Sequence, residues 1–247
     1  MKYNDIKNHQ SFEELLQTRH FVPHISVDCL IFGFHNHKLK VLLVKYPELK
    51  LWSVPGGFVF EDENLDDAAH RTLYERTALV DLFLEQFHTF GRINRTDLNN
   101  PHRILLQNRN ISVDEDHWIH QRFITVGYYA LIDYSLAHTF PDSLNESCEW
   151  FDVDALPDMA FDHAEIVESA LSYLRKNLDY KIVGSNLLPE KFTMKELQTL
   201  YEAILNEKFL RNNFQRKILS LNMLQRLEKY YDGSANKAPY LYRFLEK

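Results

Sequence analysis

No run of apolar residues in this 247-residue chain is long enough to cross a bilayer, so no helical membrane anchor is expected. The opening Met1-Lys2-Tyr3-Asn4-Asp5 leads into polar sequence, where a signal peptide would carry an apolar core. Cysteine is nearly absent. Cys29 and Cys148 lie far apart, each in or beside an apolar segment, and read as two reduced, partly buried thiols. There is no internal repeat and no low-complexity tract. These absences together place the expected protein in the cytoplasm, with no membrane partner. A hydrophobic content of 45% and a charged content of 26% exclude wholesale disorder and allow one or two packed cores.

Charge is unevenly spread. From Lys181 to Lys247 there are 12 Lys and Arg against 7 Asp and Glu, a net of +5. Of the chain's 28 basic and 35 acidic residues, this leaves 16 and 28 before that point, a net of −12. An acidic body with a basic end points to a polyanionic partner for the basic part.

The pattern of the first part reads as strands around one helix. Ile25–Phe32 and Leu39–Lys45 form a hairpin, and Trp52-Ser53-Val54-Pro55-Gly56-Gly57 breaks the alternation. Leu65–Leu79 reads as a helix, followed by strands at Phe83–Gly91, Arg122–Asp133 and Glu149–Val153. Asn94–His120 is polar and irregular, too long for a simple connection. A capping box at Ser11 and Glu14 opens a short helix near the start.

After Pro157 the texture changes. Ile166, Val167, Ala170, Leu171 and Leu174 lie on one helical face, and Gly184–Pro189 reads as a joint. Thr193 and Glu196 form a second capping box, opening a helix with Leu197, Leu200, Tyr201, Ile204 and Leu205 on one side. In the next helix Leu210, Phe214, Ile218 and Leu221 make a buried stripe, and Arg211, Asn212, Gln215 and Arg216 occupy the opposite face. Arg can read guanine edges, and Asn or Gln adenine, so this set suits the major groove of DNA. Strands at Leu224–Tyr230 and Tyr240–Phe244 flank Asp232-Gly233-Ser234 and complete a helix–turn–helix–wing order. Lys229, Lys237 and Arg243 on or near this hairpin are expected phosphate contacts.

The turn at Gly57, with Glu63, Arg71, Leu73, Glu75 and Leu79 behind it, resembles the box of the Nudix family, G-x5-E-x7-R-E-U-x-E-E-x-G-U, where U is aliphatic. In the hydrolases, carboxylates on one face of the box helix hold a divalent cation that neutralises a pyrophosphate. Here those positions are Thr72, Glu75 and Arg76, and Ala78 replaces the final glycine. Thr72 supplies no charge, and Arg76 puts a cation where the metal belongs. The resemblance therefore implies a Nudix fold with no catalytic residues, no metal and no cofactor, in which Arg71 and Glu75 form a structural ion pair.

A degenerate Nudix domain followed by a winged helix resembles the NrtR-like family of Nudix-related transcriptional regulators. The fold class this implies is α+β, an α/β/α sandwich with a mixed sheet plus a winged helix-turn-helix. Residues 1–157 would sense and dimerise, and residues 158–247 would bind DNA. The expected partners are double-stranded operator DNA, a second copy of the chain and a small effector. The effector is read as a sugar such as L-arabinose, because Thr72 and Arg76 suit a ligand without a metal-bound pyrophosphate. Alternatives are ADP-ribose or a related nucleotide, or a hydrolase with an accessory domain. Asp28, Lys45, Thr89 and Arg122, polar residues on otherwise apolar strands, are the expected effector contacts.

Overall fold

A computed structural model of the chain describes residues 20–45, 50–77, 79, 82–95, 101–134, 147–179, 187–231 and 238–245. The Ser11 capping box, the Arg76 side chain, Ala78, the first half of the Gly184–Pro189 joint, the wing tip at Asp232-Gly233-Ser234 and Lys237 lie outside them. The described elements are β1 (Phe21–His35), β2 (Lys38–Lys45), β3 (Trp52–Ser53), β4 (Gly56–Phe60), α1 (Leu65–Thr77), β5 (Glu85–Phe90) and α2 (Pro101–Asn108). A 3₁₀ turn (Trp118–His120), β6 (Ile124–Ile132), β7 (Ser147–Asp152) and α3 (His163–Asn177) follow. The chain ends with β8 (Phe192–Thr193), α4 (Met194–Leu205), α5 (Arg211–Ser220), β9 (Leu224–Lys229) and β10 (Tyr240–Phe244).

Seven strands form one mixed sheet in the order β3-β2-β1-β6-β5, with β4 paired to β1 and β7 to β2. β1 is central, and its residues from Val27 onward show why. Val27, Cys29 and Ile31 point to one face and Leu30 and Phe32 to the other, yet all are buried. A strand that is apolar on both faces must be covered on both. The Cys29 thiol reaches the Ala69 carbonyl of α1 at 3.5 Å, and Asp28, on the opposite face, meets His163 at the start of α3. This is the expected α/β/α sandwich.

The turn after Trp52 does not simply break the pattern. β3 pairs with β2 and β4 with β1, both antiparallel, so the Pro55-Gly56-Gly57 bend joins two short strands. Gly56 and Gly57 are required by close approach. A Cβ on Gly56 would lie 2.3 Å from Asp28 Oδ1, and one on Gly57 would lie 2.6 Å from Thr72 Oγ1. The stretch read as irregular, Asn94–His120, contains α2 and the 3₁₀ turn, anchored by buried Leu106 and Ile119.

By compactness the chain divides into two units. α3 starts in the first, and from Leu171 onward the chain belongs to the second. The second contains the three-stranded sheet β8-β10-β9 and helices α4 and α5. Thr193 caps α4 as expected. Its hydroxyl accepts from the Glu196 N–H at 3.2 Å, and Glu196 Oε2 accepts from the Thr193 N–H at 2.6 Å.

Candidate effector site and nucleic-acid interface

The box helix is built around Arg71. Its Nε and Nη2 donate to the two oxygens of Glu63 at 2.9 and 2.6 Å, and Nη1 donates to Glu75 Oε2 at 2.9 Å. Nη2 also donates to the Phe58 carbonyl at 2.7 Å, and the guanidinium lies 4.0 Å from the centre of the Phe60 ring. Glu63 Oε1 further accepts the Phe60 N–H at 2.8 Å. Both box carboxylates are thus committed to holding the turn. Thr72 is fully buried against Gly57, and its hydroxyl has no hydrogen-bond partner among the described residues. Nor do the described residues gather three or more His, Cys, Asp or Glu side chains into a metal-binding group. This arrangement does not fit the divalent cation of the hydrolases, whose ligands would have to come from side chains already spoken for.

A cleft of about 240 Å³ opens elsewhere in the same unit, at the end of β5. Thr89, Arg92, Arg95, Asp162 and Glu165 line it. The Arg95 side chain is 8% exposed and donates to both Asp162 oxygens at 2.5 and 2.9 Å. Arg92 pairs with Glu165 at 2.9 Å, but both side chains are exposed, so this pair is weak and open to competition by an anionic ligand.

The four residues expected to contact the effector fare differently. Thr89 lines the cleft, and Arg122 is exposed beside it, its Nη2 donating to the Gly91 carbonyl at 2.8 Å. Asp28 is buried beneath Gly56. Lys45 is not brought to the others. It sits on β2, separated from β5 by β1 and β6, with its ammonium 5.9 Å from the centre of the Trp52 ring. The other charged residues lining the cleft, Arg92, Arg95, Asp162 and Glu165, were not expected there, because they come from a connection and from around the start of a helix, not from strands.

Asp28 belongs to a buried polar cluster behind the cleft. The Thr125 hydroxyl hydrogen-bonds to it and also pairs with Ser26 Oγ. His163 Nδ1 accepts the Val54 N–H at 3.1 Å, which puts the ring proton on Nε2, 3.9 Å from Asp28 Oδ1. Burial pushes the Asp28 carboxyl up to about 7, outweighing the lowering by Arg95 and by the Thr125 hydrogen bond; Asp162 adds to the rise. Between its ordinary value of 3.8 and about 7 the folded protein therefore holds a proton that the unfolded chain has released. That contribution to stability is complete below the lower value and is lost as pH rises through about 7. The protein should melt a few degrees lower at about pH 8 than at about pH 6, and Asp28→Asn should flatten this slope. Parallel melting profiles for the two proteins would remove Asp28 as its source.

In the second unit, α5 buries Phe214 and Ile218, 2% and 1% exposed, against α4, with Phe214 edge-on to Tyr201 at 5.3 Å. Arg211, Asn212 and Arg216 are exposed and Gln215 half-buried, so the face expected to read bases is presented outward. Leu210, expected in the buried stripe, is instead 75% exposed. It is the N-cap residue, with extended backbone at φ −70° and ψ 125°, so helical spacing does not carry it to the core. Leu221 is only half-buried, at the other end. On the wing, Lys229 and Arg226 flank the Tyr240 ring at 5.5 and 4.7 Å. Arg243 is exposed and donates to Gln225 Oε1 at 2.8 Å.

Comparison with known proteins agrees with both halves. A NUDIX domain model matches residues 22–170, and the model of the NrtR DNA-binding winged helix domain matches residues 184–244. The division expected after Pro157 falls inside the first match. The chain is 31% identical over 230 residues to the ADPR responsive transcriptional repressor NtrR of Acinetobacter baylyi, covering 90% of this chain and 82% of that protein. The structure of Shewanella oneidensis NrtR complexed with a 27mer DNA is similar at a TM-score of 0.66 and 29% identity, over 90% of this chain and 93% of that one. A MutT/nudix family protein from Enterococcus faecalis shares the fold over 99% of both chains, at a TM-score of 0.68 and 21% identity.

Proposed function

The chain belongs to the NrtR family of Nudix-related transcriptional regulators, and we propose that it is a repressor whose winged helix grips operator DNA and whose Nudix domain binds an ADP-ribose-like effector without hydrolysing it. The observation that carries the DNA-binding half is the outward face of α5, where Arg211, Asn212 and Arg216 stand exposed above a core fixed by Phe214 and Ile218. The loss of hydrolysis rests on Arg71, which occupies both box carboxylates, and on Thr72 at a metal-ligand position.

For the effector, the sugar reading draws only on Thr72 and Arg76. The Acinetobacter relative, by contrast, carries ADP-ribose in its name. A cleft with two arginines, one of them held only by an exposed pair, suits the phosphates of such a ligand better than a neutral sugar. The chain acts as a cytoplasmic homodimer. One winged helix spans few base pairs, and two recognition helices about one helical turn apart supply the specificity a genome demands.

Sequence-specific reading has a direct test. Arg211→Ala and Gln215→Ala should each weaken binding to an operator, selected from random duplexes, by ~1–3 kcal/mol more than binding to random duplex. Arg243→Ala should weaken both alike and reduce the salt slope by about 1. Equal losses on both duplexes for all three would leave α5 a purely electrostatic surface.

A further inference from the structure

The exposed leucine at the head of α5 has no place in the core and none in the charge pattern. At 75% exposure Leu210 leaves most of its apolar surface in water, directly beside Arg211. A large exposed aliphatic side chain at this point is not the product of a slack turn, because the preceding residue is held on both sides. The Phe209 N–H donates to Glu202 Oε1 at 3.1 Å, and the Phe209 carbonyl accepts Gln198 Nε2 at 2.9 Å. Glu202 also accepts Gln198 Nε2 at 2.8 Å and Lys208 Nζ at 2.7 Å. These hydrogen bonds, Lys208's first, hold its carboxyl down at about 2. On the other side the Leu210 carbonyl accepts the N–H groups of Asn213 and Phe214, both at 3.0 Å. The turn therefore fixes the backbone from which Leu210 projects.

The first residues of a recognition helix are those that meet base edges. In the major groove only one base offers an apolar group, the C5 methyl of thymine. We infer that Leu210 is a specificity-determining residue that packs on a thymine methyl next to the base read by Arg211. The exposed cations Arg211 and Arg216 draw the helix to the phosphates, and the leucine selects T·A over the other pairs at one position of each half-site. This rests on the operator-binding reading of α5 and adds a base contact to it that hydrogen-bonding residues cannot supply.

The test replaces each thymine of an operator, selected from random duplexes, with deoxyuridine, which pairs identically but lacks the methyl. At one thymine per half-site the unaltered protein should lose roughly 4-fold in affinity, the worth of about one buried methyl-sized group. Leu210→Ala should bind the thymine and deoxyuridine duplexes equally at that position and respond as the unaltered protein does at every other thymine. Its melting temperature should match that of the unaltered protein, since the side chain it removes is exposed. Identical responses of the two proteins at every thymine, or no response at any, would overturn the assignment while leaving operator binding intact. Failure to enrich any sequence from the random pool would overturn the operator-binding reading itself, and this inference with it.

Discussion

Arg71→Ala is expected to lower the melting temperature of the Nudix unit by ~6–12 °C, from a loss of about 3 kcal/mol at ~2–4 °C per kcal/mol. Arg71 is 11% exposed and serves three groups at once: Glu63 through two bonds, Glu75 through one and the Phe58 carbonyl through one. Glu63 is 13% exposed, so removing its counter-ion strands a carboxylate that water can barely reach. Breaking such a pair from one side costs about 3–5 kcal/mol when burial is complete. Glu75 is 27% exposed, and this partial access places the sum at the low end. Glu75→Ala, which removes only the more solvated partner, should cost under about 1 kcal/mol. Arg71→Lys should fall between them, since an ammonium cannot present the fork that bridges Glu63, Glu75 and a carbonyl together. Thermal melting of the three variants decides the matter. If Arg71→Ala costs no more than Glu75→Ala, the box is not an Arg-centred clasp.

The same clasp shows which parts of the protein were legible in the sequence. Arg71 and Glu75 stand four residues apart on α1, so their pairing could be read without coordinates, whereas Glu63, which precedes the helix, was not expected in it. The central strand was legible as a run of apolar residues. Its start was not, because β1 extends back to Phe21 through His24, whose φ of 67° interrupts the alternation. The helix α2 was missed because it is short, at 8 residues, and of its described side chains only Leu106 is buried. Leu210 was misplaced for a sharper reason. A 3.6-residue period applies only inside a helix, and this residue stands just outside one.

The cleft proposed for the effector was the least legible. Polar residues on apolar strands include Thr89 and the buried Asp28, but also Lys45, which the sheet order holds away from β5. Arg92 and Arg95 lie in the connection after β5, and Asp162 and Glu165 lie about 70 residues further on, at the start of α3. Only the packing of α3 on the first unit brings these pairs to one place, and no local pattern records it.

ADP-ribose bound to the chain should change the affinity for operator DNA by roughly 5–150-fold, the usual span of coupling between two sites. A ligand can shift DNA binding only through a difference in its own affinity for the two arrangements of the protein. In the proposed function such a difference would arise at Arg92, whose exposed pair with Glu165 would exchange one carboxylate for a ligand phosphate while the part-buried Arg95–Asp162 pair stays in place. Glu165 lies in the first turn of α3. Further along α3, the Arg175 Nε donates to the Ile204 carbonyl of α4 at 2.7 Å. The measurement is the operator dissociation constant with and without saturating ADP-ribose, in the presence of Mg²⁺, alongside the ADP-ribose constant with and without operator. One shared factor is expected in both directions, with the ADP-ribose recovered intact. An operator affinity indifferent to ADP-ribose, or steady consumption of the nucleotide near ~1 s⁻¹, would contradict it.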